Sequence, residues 1–123
     1  MKSQKFSLVF FSVLFLFSAL SVFATVETTV YVQTQVTLSM KVEPETPGDQ
    51  LNATLTFSPG NSGKETTIPL GENYHRLSNP QGKDRWHKVW VDGPAILFIR
   101  NEISGKVLKL LLKDGKVTLI SYE

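Results

Sequence analysis

One stretch governs what this 123-residue chain can become. From Val26 to Val42 the residues alternate without a break. Val26, Thr28, Val30, Val32, Thr34, Val36, Leu38, Met40 and Val42 form one phase. Glu27, Thr29, Tyr31, Gln33, Gln35, Thr37, Ser39 and Lys41 form the other. The first phase is apolar or β-branched and the second mostly polar, the period-two signature of a half-buried strand. A single strand of about 17 residues would reach roughly 56 Å, yet a domain of about 100 residues has a radius of gyration near 13 Å. The stretch therefore either breaks near Thr34–Thr37 or projects from its own domain and pairs elsewhere.

What precedes it reads as an export signal. Lys2 and Lys5 make a short basic start, and Phe6 to Phe23 holds 14 apolar residues and 4 serines. Val22-Phe23-Ala24 ends on a small residue, which places a signal-peptidase cut after Ala24 and assigns residues 1–24 to a signal peptide. An uncleaved anchor is the alternative, because 18 residues is close to the shortest apolar span of a bilayer. The polar residues just after Ala24 favour cleavage, leaving a single domain, 25–123, with no membrane span. Losing Lys2 and Lys5 leaves 11 basic against 11 acidic residues. A balanced chain of this kind lacks the clustered positive charge of a nucleic-acid binder. There is no cysteine, so neither a disulfide nor a lipoprotein anchor is available.

The rest of the chain is a run of short strands and turns. Pro44, Pro47 and Gly48 close the long alternation, and Leu51 to Phe57 alternates again. A turn follows over 58–63. Thr66 to Leu70 is a short strand that Pro69 assigns to a sheet edge. Residues 71–84 read as a long polar loop. Arg85 to Val91 and Ala95 to Arg100 are strands around Asp92-Gly93-Pro94. Asp114-Gly115 suits a two-residue type I′ turn, which pairs Leu112 with Val117 and Leu110 with Leu119. Val107, Leu111, Ile120 and Tyr122 are expected on the opposite face, making this hairpin an inner pair. Helical periodicity is absent. The expected fold is all-β, an immunoglobulin-like β-sandwich of about six or seven strands.

The sequence holds little that reads as catalysis. His75 and His87 lack the spacing of metal ligands, and no nucleophile elbow or phosphate loop occurs. Neither an enzyme nor a cofactor is expected. Asp84, His87 and Asp92 read as charges around a strand. Trp86, Lys88 and Trp90 share one face of a strand, with the indoles about 13 Å apart. Exposed, they could stack on sugar rings, with Tyr74 and His75 as helpers. Buried, they would fill a core otherwise short of bulk, with Phe57 and Phe98 its only phenylalanines, and this second reading is the expectation. Asn52, Ala53 and Thr54 form a glycosylation sequon.

Short motifs along most of the chain resemble the colonisation-factor-type (alpha-class) major subunits of chaperone–usher fimbriae. Val26-Glu27-Thr28-Thr29-Val30-Tyr31-Val32 looks like the family's mature N-terminus, acidic and then alternating. Leu55-Thr56-Phe57-Ser58-Pro59-Gly60 is similar to its aromatic-Ser-Pro strand end. Ser78-Asn79, Lys83-Asp84, Lys88 and Asp92-Gly93-Pro94 loosely resemble its later pattern. Family members continue through further strands beyond the point matching Glu123. The resemblance implies that an N-terminal strand is donated to a neighbouring subunit, with Val26, Val30, Val32 and Val36 as pocket fillers. A periplasmic chaperone would lend the strand before assembly. The ordinary alternative makes 26–42 two strands of a self-complete sandwich.

The expected function is thus that of an exported, non-catalytic structural or interaction protein in the periplasm, at the cell surface or outside the cell. Two alternatives remain beside it: a glycan-binding module using Trp86 and Trp90, and a periplasmic assembly accessory that caps strand edges.

Overall fold

The computed structural model describes residues 11–16, 25–58, 64–80, 82 and 84–123. The cut after Ala24 and the turn over 59–63 lie outside them. The described residues are all-β and form two five-stranded antiparallel sheets packed as a β-sandwich.

The long alternation does break. β2 (Val26–Val32) and β3 (Val36–Pro44) are separated by 33–35 and lie in different sheets. Their shared apolar phase survives because both strands turn it inward. Val26, Val30, Val32, Val36, Leu38, Met40 and Val42 are all buried. Each fully buried side chain of this size contributes roughly 1.5–3 kcal/mol, so the core itself selects the register on both sides of the break.

Sheet A runs in the order β1 (Phe11–Leu16), β2, β7 (Arg85–Val91), β4 (Ala53–Phe57), β5 (Thr66–Pro69). Sheet B runs β10 (Lys116–Tyr122), β9 (Val107–Lys113), β8 (Ala95–Asn101), β3, β6 (His75–Asn79). β5 is the edge strand that Pro69 called for. Across the core, β10 lies against β1 and β2, and β9 against β2.

Several expectations need correction. There are ten strands among the described residues, nine of them between 25 and 123. The polar stretch 71–84 contains β6, which pairs with β3 along Val36↔Asn79 to Met40↔His75. Only Leu77 and Asn79 turn inward there, so β6 has too few apolar positions to announce itself. The final hairpin has the expected turn, with Asp114 at φ 55° and Gly115 at φ 72°. Leu112↔Val117 and Leu110↔Leu119 pair as expected. A bulge between Leu119 and Ser121 then shifts the register and sets Tyr122 opposite Leu108, on the inner face. β10 is an edge strand, so the hairpin is not an inner pair.

The core is aliphatic. Its largest fully buried side chains are leucines, valines, Ile99 and Met40. Phe57 only packs against its margin. Near Phe57, His87 is buried, with its ring 6.0 Å from the phenyl ring. Burial, helped by the nearby Arg85 charge, lowers the His87 pKa from 6.5 to about 4, so the ring is neutral in the fold.

Candidate functional site

Position on β7 decides where each tryptophan points. His87, Val89 and Val91 occupy the inner phase and are buried. The alternate phase, Trp86, Lys88 and Trp90, faces outward. The expectation that an indole fills the core is therefore overturned. The facing residues explain why: Val30 sits opposite His87 and Thr28 opposite Val89, both buried, so the inward phase of β7 is the one that continues the aliphatic core.

β7 lies mid-sheet, so the outward residues have neighbours on both sides. Trp86 is opposite Tyr31 of β2. Lys88 lies between Thr29 of β2 and Thr56 of β4, and Trp90 between Glu27 and Thr54. Thr56 and Thr67 share a hydroxyl hydrogen bond of 2.8 Å. Both indoles are half-buried, and the Lys88 ammonium stands 5.7 Å from the Trp86 ring. Beside Trp90, Thr25, Val26 and Glu27 line a shallow depression of about 210 Å³.

Tyr74 and His75 do not join this group. Tyr74 belongs to the outer side of sheet B, where the Arg100 guanidinium lies 3.9 Å above its ring and Lys41 5.0 Å away. His75 is exposed at the start of β6, opposite Met40. The four expected ligand residues thus do not come together: Trp86 and Trp90 lie on the outer face of sheet A, Tyr74 on that of sheet B, and His75 at the start of β6.

Sheet B's outer side has its own aromatic, Phe98, at the centre of β8. Lys41 and Lys109 are directly opposite it on β3 and β9, with ammonium groups 4.7 Å and 5.3 Å from the ring. Ion pairs link Lys41 to Glu43, Arg100 to Glu102 and Lys113 to Glu45. Hydrogen bonds from Ser39 and then Arg100 hold the Glu102 carboxyl below its ordinary pKa.

The side of the sandwich at β2 and β10 is a second feature, and nothing in the residue pattern announces it. Without β1, sheet A has one strand fewer than sheet B, which leaves a place beside β2 at the β10 side of the sandwich. β1 occupies that place, pairing antiparallel with β2 from Phe11↔Val32 to Leu16↔Glu27. Leu119 and Ile120 on β10 remain 50% and 46% exposed. The other sheet edges are blunter. β5 is four residues long and carries Pro69, β6 is short with an exposed Arg76, and β10 is bulged. β2 is seven residues long, with no proline and a single charge.

The pocket fillers Val26, Val30, Val32 and Val36 are all in the chain's own core. No three His, Asp or Glu side chains come together as a metal site among the described residues. No family model, curated protein or solved structure matches the chain.

Proposed function

We propose that this is an exported, non-catalytic structural or interaction protein that takes up an extended strand on its open side, between β2 and β10. The observation that carries the reading is the unequal strand count: residues 25–123 supply four strands to one sheet and five to the other. Loss of the leader leaves a regular edge at β2, on the side of the sandwich where β10 carries the exposed Leu119 and Ile120. A docking strand gains main-chain hydrogen bonds from β2, and every second side chain meets β10. This is the kind of assembly that the fimbrial resemblance implies. Its form here is acceptance of a strand beside β2. Donation of 26–36 would instead pull buried valines out of the core, at roughly 1.5–3 kcal/mol each.

The test uses the exported product, checked by mass for loss of residues 1–24. A synthetic Phe11–Leu16 peptide, flanked by lysines for solubility, should bind it saturably. Leu119→Lys with Ile120→Lys should abolish binding while leaving the far-ultraviolet spectrum unchanged, because both positions are already exposed. A processed product that ignores the peptide sinks the reading.

A further inference from the structure

We infer that the outer face of sheet A binds an extended, uncharged glycan, with one sugar ring on each of Trp86 and Trp90. This site shares β2 with the strand-docking edge but uses the outward side chains of that strand, and it does not require a docked strand.

The argument starts from the indoles. They contribute nothing to the interior, since the inward phase of β7 is already His87, Val89 and Val91. Tyr31, Glu27 and Thr54 stand opposite them on the same face, with Thr29 and Thr56 flanking the intervening Lys88. A row of threonines would have sufficed to cover this sheet. Two indoles there leave large, flat, apolar surfaces half open to solvent, about 13 Å apart along one strand.

The chemistry around the rings selects the ligand. A pyranose has an apolar C–H face and a rim of hydroxyls. Here Trp86, Tyr31 and Trp90 offer aromatic planes, while the half-buried Thr54 and Thr56, with Glu27 and Lys88, offer donors and acceptors at their edges. The depression beside Trp90 extends the row past the end of β7. Glu27 and Lys88 are the charged residues at the strand positions of this face, one of each sign. A polyanion needs an excess of positive charge, which this face lacks. Sheet B shows the contrast, because its Phe98 and Tyr74 rings are already covered by the chain's own cations.

The exported product is titrated with cellohexaose and with chitohexaose while tryptophan fluorescence is followed, and its retention on insoluble cellulose and chitin is measured. Saturable quenching and retention by at least one of the two glycans are expected. Trp86→Ala and Trp90→Ala should each weaken binding at least tenfold, Trp90→Phe should restore most of it, and Phe98→Ala on the opposite face should leave it unchanged. Leu119→Lys should also leave it unchanged, which separates failure here from failure of strand docking. Absence of binding to both glycans overturns the inference. So does binding that survives loss of either indole, or retention on heparin alone that vanishes at raised salt.

Discussion

The two outer faces of the sandwich treat the same problem in opposite ways. Each carries large aromatic side chains in the middle of a sheet, half open to water. On sheet B the chain closes over its own rings: Lys41 and Lys109 flank Phe98, Arg100 lies on Tyr74, and acidic partners hold two of these cations in place. On sheet A, Trp86 has one lysine near it and Trp90 sits between Glu27 and Thr54. Covered aromatics serve the fold. The glycan inferred above would meet the rings that the chain leaves less covered.

That contrast can be broken at several levels. The largest effect should come from beneath both faces. Leu97→Ala, which empties a fully buried site in β8, should cost about 2–5 kcal/mol by denaturant unfolding. Its outward neighbour Phe98 should cost clearly less.

Next comes acid. His87 is neutral in the fold, with a pKa near 4 against 6.5, so the unfolded chain takes up a proton first as pH falls. Its contribution is complete above about pH 6.5 and disappears between there and pH 4, a loss on the order of 3 kcal/mol. His87→Phe should flatten that part of the stability–pH curve. An unchanged curve would mean that His87 is not the titrating group.

The sharpest comparison is between the outward aromatics. Phe98→Ala should destabilise by about 2 kcal/mol, because the two ammonium groups near the ring lose their cation–π partner. Trp90→Ala should destabilise by about 1 kcal/mol or less. Equal losses, measured by chemical denaturation, would make the indoles structural and remove the distinction between the faces. The smallest effect should be that of Lys113→Ala, whose ion pair with Glu45 lies near the surface. A change below about 1 kcal/mol is expected there, and it should shrink further with salt.

Much of the fold was legible wherever local chemistry and tertiary context agree. The two-phase pattern of 26–42 survives because both of its halves bury the same phase. The Asp114-Gly115 turn fixes its hairpin because few residues tolerate two successive positive φ angles. Legibility failed wherever a residue's fate depends on strands far away. Both phases of β7 look suitable for burial, and the shortage of other large aromatic side chains favours the tryptophan phase. The choice falls to the neighbours β2 and β4, which the chain supplies some 55 and 30 residues earlier. The bulge at Ile120 leaves no mark in the sequence, yet it moves Tyr122 from one face to the other. Of the candidate site, the Trp86 and Trp90 pairing could be read from spacing. The addition of Tyr31, and the separation of Tyr74 and His75 from it, follow only from strand order.

The placement of the indoles also bears on how this protein is watched. The chain has two tryptophans, and both are on one outer face. Intrinsic fluorescence therefore reports on that surface, while circular dichroism reports on the sheets. If the face loosens before the aliphatic interior does, the two probes will trace different melting curves. In most small domains such a mismatch is taken as a sign of a populated intermediate. Here it would arise from where the chromophores sit, and a cooperative unfolding could pass for a stepwise one.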